Sequence, residues 1–385
     1  MLASAPSRSA SGRLHGPDVL RGFAAIGVVL FHVYYLSGAP KVPVIGFFVG
    51  RLDFFVRLFF ALSAFAIAYA YSARLNTQGD MRIFYSKRFF RLAPLFYFVM
   101  LCGALLTLWQ GRPGASFFDY LLSLTFSFSF VPGKNGSVVG GGWSLGLEWL
   151  FYIAFPFLLS LAGNLRSALA IWVVAATLAL ASSSYFASGA EVDALRNYGL
   201  LFILAHLPFF VAGIACFHAF TVCNHRGFII SARVTGPVAI GVFLLTLTYF
   251  HFGWTAKVPD EIYLSIVAFI LVFLAASGFP AWLDNRSTRY LGKISYSLYL
   301  TQFLVLGLFD HLGVFVWLCA FHLEPILTYL LCAAATTASV IFLSALTYHF
   351  IERPGMRFPH WKIVLIIRAN ILNIVSGKNA LRGDG

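Results

Sequence analysis

Charge is what this sequence has least of. Asp, Glu, Lys and Arg make up 11% of the 385 residues, where a soluble domain carries about a quarter. With 60% hydrophobic residues and a mean hydropathy of +0.83, that scarcity excludes a soluble globular chain. Cysteine in any paired pattern is missing too. The five cysteines (Cys102, Cys216, Cys223, Cys319 and Cys332) lie in or beside apolar stretches, with no CxxC and no metal-ligand spacing. They read as small core residues, and no metal is expected. No internal repeat of about 20 to 50 residues is present. No polar stretch is long enough for a separate soluble domain, so one large domain is expected.

A net charge of +13 would suit a nucleic-acid binder, but the cations sit scattered in short loops between apolar runs. Membrane topology produces that distribution, and no nucleic-acid partner is expected.

What is present is a succession of apolar runs, at 18–37, 54–73, 93–110, 143–162, 168–187, 198–222, 234–252, 261–279, 294–312 and 326–351. They predict an all-α polytopic transmembrane helical bundle of about ten spans, over 18–354. The segment 117–131, "FFDYLLSLTFSFSFV", is short for a crossing. If it stays on one side and the N-terminus is cytoplasmic, 20 of the 27 Lys and Arg residues face the cytoplasm. If it crosses, the later cations swap sides, so the positive-inside rule favours a re-entrant or surface segment and two cytoplasmic termini. Residues 1–17 form a polar tail bearing Arg8 and Arg13, without the short apolar core of a cleaved leader, so the first span is expected to be retained. Residues 355–385 read as a cytoplasmic tail, with an interfacial helix expected at 361–375.

Ionisable groups inside these runs are costly in hydrocarbon and tend to be functional. The first span, "DVLRGFAAIGVVLFHVYYL", carries Arg21 and His32. Eleven residues are about three turns, so both share a face about 16 Å apart along the axis. One reading is an anion clamp at the rim with an ionisable imidazole deeper in; the other is a snorkelling arginine and a histidine bonded between helices. In "SKRFFRLAPLFYF", Arg88 and Arg91 form an i, i+3 pair suited to bidentate phosphate binding, although plain positive-inside anchoring also yields cations there. In "GGGWSLGLEWLFYIAFPFLL", Glu148 falls at a depth similar to His32, where a carboxylate could orient the imidazole or simply bond a neighbouring helix while protonated. Ser63, Trp143, Ser144, Tyr296, Tyr299 and Gln302, with the closing "HFIERP", are weaker candidates for a cavity lining. Arg57 is expected to snorkel or to pair with Glu148 or Asp53.

In this order the stretches resemble the acyltransferase 3 family of integral membrane O-acyltransferases. "DVLRGFAAIGVVLFH" resembles its first-span pattern and "VRLFFALSAFAIAY" its LFFxLSGF segment. "KRFFRLAPLFYF" is similar to its RxxR-to-xPLY segment and "WSLGLEWLFYIAFPFLL" to its WSLxxExxFYLxFP segment. "LGKISYSLYLTQF" and "IERP" are similar to its last two landmarks. The resemblance runs from about Asp18 to Pro354. It implies transfer of an acyl group, usually acetyl, from cytoplasmic acyl-CoA to a hydroxyl, usually on a cell-surface or exported glycan or lipid-linked saccharide. It implies functional roles for Arg21, His32, Arg88, Arg91 and Glu148. Ala64 stands where the family has glycine, and Gln302 where members often have histidine. Many relatives carry an extra extracytoplasmic domain; none is expected fused here.

The resulting expectation is a multi-pass enzyme of the inner (cytoplasmic) membrane, in contact with lipid. Acyl-CoA phosphates would rest on Arg21, Arg88 and Arg91, with catalysis by His32 and Glu148. The rival reading is a proton-coupled transporter or glycan flippase using the same groups as a relay, although the paired halves common in transporters are not evident.

Overall fold

The computed structural model describes residues 14–357 apart from 74, 76, 189–201, 229, 254–258, 279 and 281–282, and the side chains of 186–188, 232 and 233. In chain order the helices are α1 (His15–Leu36), α2 (Pro43–Val49), α3 (Phe54–Tyr71), α4 (Gln78–Trp109), α5 (Phe117–Leu124), α6 (Trp143–Leu161) and α7 (Leu165–Ser188). They continue as α8 (Ile203–His225), α9 (Ala232–His251), α10 (Asp260–Ser277), α11 (Arg286–Lys293), α12 (Ser295–His311), α13 (Val314–Cys319) and α14 (Pro325–Thr347). A π turn at Tyr348–Glu352 and α15 (Arg353–Arg357) follow. Among the described residues, 9 helical stretches are long and apolar enough to cross a membrane. These include α2 with α3 as one stretch and α14 with its extension as another. The chain is therefore an all-helical, multi-pass membrane protein.

The remaining expected span, 294–312, is α12, which has 17 residues. At 1.5 Å per residue it reaches about 25 Å, somewhat less than a hydrocarbon core of about 30 Å. The segment 117–131 folds as the 8-residue α5 and a short 3₁₀ turn at Phe128–Phe130, too little to cross. Its first turn is a capping box: the Asp119 amide donates to Ser116 Oγ, and the Ser116 amide donates to Asp119 Oδ2. Lys134 lies 2.8 Å from Asp119 Oδ1 and, with Ser116, holds that carboxyl down at about 2. The 361–375 segment lies outside the described residues.

The third span begins well before residue 93. Thr77 and Asp80 form another capping box, and α4 runs 32 residues from Gln78 through Pro94. Apolarity alone put its start after the cations. The cap and the helix-tolerant Lys and Arg residues extend it so that Arg88 and Arg91 stand on the spanning helix itself.

Helix α1 is the hub, packing against α3, α10, α11, α12 and α14. Small residues set the closest approaches, as membrane helices require in place of a hydrophobic drive. Gly22 of α1 faces Gly292 of α11 so tightly that a Cβ on Gly292 would sit 2.0 Å from the Asp18 carbonyl oxygen. Gly213 of α8 fits over Ala61 and Ala64 of α3, where its own Cβ would lie 2.3 Å from the Ala61 oxygen. Ala64, the departure from the family glycine, is thus matched by a glycine across the interface.

Gly292→Ala is expected to separate α1 from α11 and lower thermal stability in detergent by the equivalent of about 1–3 kcal/mol. Gly114→Ala, where a Cβ meets nothing within 4 Å, should melt like the parent.

Candidate active site

Helices α1, α3, α4, α6 and α12 enclose a cavity of about 500 Å³. Its lining gathers most of the expected residues: Arg21, Ser63, Arg88, Arg91, Ser144, Glu148, Tyr296 and Tyr299. Val56, Phe59, Phe60 and Ile67 of α3 supply an apolar wall. The cavity therefore has a dry side and an ionic side.

Glu148 projects from the second turn of α6. Its Oε1 accepts from Ser63 Oγ at 2.6 Å and also from the Tyr152 hydroxyl. Ser63 and Tyr152 are themselves 3.3 Å apart, so three polar groups from two helices close into one network. Tyr152 was not singled out in the sequence, yet its spacing of four from Glu148 puts both on one helix face.

The arginines divide into two kinds. Arg91 forms an ion pair with Glu352, whose side chain is fully buried and also accepts from Ser297 Oγ at 2.6 Å. It also donates to Met356 Sδ at 3.2 Å and stacks over the Tyr296 ring at 5.3 Å. Among the described residues, Arg88 is in no ion pair. It stands over the rings of Tyr71 and Tyr152 at 5.6 and 5.8 Å, and its buried Nε has no hydrogen-bond partner. Arg21 donates to the Leu62 carbonyl at 3.0 Å and lies 3.8 Å from Asp18. So Arg91 is committed to the fold, while Arg88 and, in part, Arg21 keep donors for something in the cavity. The sequence spacing alone made Arg88 and Arg91 equivalent; Glu352, 261 residues from Arg91, breaks the tie.

His32 does not line this cavity. Its Nδ1 lies 2.9 Å from the Val28 carbonyl, and its ring packs edge-on against Phe303 at 4.6 Å and Phe31 at 5.1 Å. The carbonyl can only accept, so Nδ1 carries the proton in the neutral imidazole and Nε2 is left as the acceptor. The expected His32–Glu148 contact is not formed. Glu148 is occupied by Ser63 and Tyr152, and Phe303 lies one turn beyond the cavity-lining Tyr299 on α12. The Tyr299 hydroxyl is 2.8 Å from both the Gly141 carbonyl and Ser144 Oγ, tying α12 to the start of α6 at the cavity wall. Gly141, at φ +70°, takes a left-handed turn against Phe303 and Tyr299 that a side chain would obstruct.

The weaker candidates separate. Ser63, Ser144, Tyr296 and Tyr299 face the cavity, and the Tyr296 hydroxyl donates to the Leu92 carbonyl at 2.6 Å. Trp143 lies outside the lining, against Phe60 and His206. Gln302 is fully buried outside the lining; its Nε2 donates to the Tyr299 carbonyl at 2.8 Å, and its side chain lies within reach of the His32 ring. Arg57 pairs with Asp53 at 3.3 Å, not with Glu148.

Comparison with known proteins gives this geometry a context. The acyltransferase 3 family, described as an acyltransferase domain, matches residues 14–345. A curated relative, "Putative acetyltransferase ORF330" of Acidianus two-tailed virus, is 25% identical over 303 residues, covering 77% of this chain and 84% of its own. No solved structure matches the chain. The chain belongs to the acyltransferase 3 family and is a membrane acyltransferase.

Removing Glu352 as Glu352→Ala leaves Arg91 unpaired and is expected to cost about 3 kcal/mol, read as a lower melting temperature in detergent. Arg88→Ala breaks no ion pair and should melt close to the parent.

Proposed function

We propose that this member of the acyltransferase 3 family moves an acetyl group from acetyl-CoA to a hydroxyl of a cell-surface or exported glycan. The observation that carries the reading is the cavity itself. An uncommitted guanidinium, Arg88, and a partly committed one, Arg21, share a 500 Å³ chamber with an apolar wall and the Glu148 network. Such a chamber suits a donor with anionic groups at one end and an apolar acyl arm at the other. The name of the viral relative speaks for acetyl as the group transferred.

In this mechanism His32 is the general base. The Val28 carbonyl holds its Nδ1 proton, leaving the Nε2 lone pair for the acceptor hydroxyl. The hydroxyl oxygen bonds to the acyl carbon and the C–S bond breaks. The hydroxyl proton passes to Nε2 and then to the leaving thiolate. His32 lies outside the cavity lining, so the thioester and the imidazole would have to be brought together by a movement during turnover. Glu148 would hold the donor side of the chamber through Ser63 and Tyr152. The location of Glu148 in the cavity favours a second reading, in which its carboxylate is the base and His32 binds the acceptor.

His32→Asn and Glu148→Gln separate the two. With purified protein, acetyl-CoA and a saccharide acceptor, loss of transfer by about a hundredfold or more in His32→Asn, with CoA binding retained, supports imidazole catalysis. Transfer at the parent's rate in that variant removes it. A base that must be neutral loses activity as pH falls through the imidazole titration, and His32→Asn should abolish that limb of the profile. Mass spectrometry of surface glycans with and without the protein identifies the acceptor, by acetyl groups that disappear with it.

A further inference from the structure

A second cleft of about 460 Å³ lies at the start of α1. It is lined by His15 and Asp18 of α1, by Asp284, and by Arg286, Arg289 and Lys293 of α11. The three α11 cations fall at i, i+3 and i+7, one face of a helix whose adjoining face, about a quarter turn round, carries Gly292, pressed against Asp18 and Gly22 of α1. The glycine contact thus turns a basic face toward the cleft and holds it there. Both carboxylates in the cleft are already occupied. Arg289 grips Asp284 with two hydrogen bonds, at 2.5 and 2.8 Å, which hold that carboxyl below its ordinary range. Asp18 lies 3.8 Å from Arg21. Arg286 and Lys293, both exposed, enter no ion pair among the described residues, so two cations remain for an outside anion.

The cleft also adjoins the candidate active site. Asp18 lines the cleft and Arg21, one turn further along α1, lines the cavity; Lys293 lines the cleft and Ser295, two residues on, lines the cavity. The step between the two spaces is about 5 Å along α1. Resting on the acyl-CoA reading above, we infer that this cleft seats the phosphorylated nucleotide end of the donor. Arg286 and Lys293 bind its phosphates, and the acyl-bearing arm passes Arg21 into the cavity. Arg88 then meets the arm or the inner phosphate. A phospholipid headgroup offers the same phosphate chemistry at a membrane surface, and the test separates the two sources.

The double variant Arg286→Gln/Lys293→Gln is assayed with acetyl-CoA and with S-acetylpantetheine, which lacks the nucleotide and its phosphates. The expected result is a rise in KM for acetyl-CoA of about tenfold or more, with KM for the truncated donor unchanged. Equal losses with both donors, or no change with either, overturn the assignment. Calorimetry with adenosine 3′,5′-bisphosphate reads the same cleft without turnover. Binding by the parent that the variant loses supports a nucleotide seat even if acetyl transfer is never observed, and in that case only the acyl-donor reading falls. The lipid source is tested in nanodiscs of phosphatidylcholine with and without phosphatidylglycerol. An acetyl-CoA KM unaffected by the variant, alongside a response to phosphatidylglycerol that the variant abolishes, assigns the cleft to a headgroup and overturns the proposal.

Discussion

The ion pair between Arg91 and Glu352 is the constraint around which the ionic side of the cavity is arranged. It ties α4 to the last turns of the bundle across most of the chain's length. It also places a fully buried carboxylate behind the lining, where Ser297 shares it. A charge at this depth is tolerated because its partner and a hydroxyl surround it. With one guanidinium neutralised by the fold, the neighbouring Arg88 keeps its charge for the chamber. The same geometry brings Tyr296 over Arg91 and beneath the Leu92 carbonyl, so the wall of α12 is set by the arrangement that holds α4.

Close backbone approach is the second determinant. Gly22 against Gly292, and Gly213 against Ala61 and Ala64, press α11 onto α1 and α8 onto α3, bracing two of the lining helices from outside the chamber. Bulky aromatics occupy the space these contacts leave. Phe60, Phe151 and Phe210 stack on one another beside the cavity, at centroid separations of 4.6 and 4.2 Å, and give the chamber an apolar flank. A rigid apolar flank opposite an ionic wall is what allows one space to take a ligand of mixed character.

Much of this was legible in the sequence. Long apolar runs gave the helices and their order, and the shortness of 117–131 gave its failure to cross. The residues Arg21, Ser63, Arg88, Glu148, Tyr296 and Tyr299 converge from five helices because motif positions on helices face a common interior. The commitment of Arg91 to Glu352 was not legible, since no local spacing reveals a contact 261 residues away. The separation of His32 from Glu148 was hidden for a related reason. Equal depth in two helices does not specify which faces meet, and Glu148 found Ser63 and Tyr152 instead. The extension of α4 back to Gln78 eluded a hydropathy reading because capping geometry, not apolarity, starts that helix.

The π turn at Tyr348–Glu352 bears on how such a chain can vary. A π turn is one surplus residue accommodated inside an otherwise regular helix. Loss of that residue would let the turn close to a regular α-helix while the segments on either side keep their facing, so Glu352 and Gly355 would stay on Arg91 and Pro94. The final helix thereby holds a built-in allowance of one residue, a slack that spares the Arg91–Glu352 ion pair a change of register.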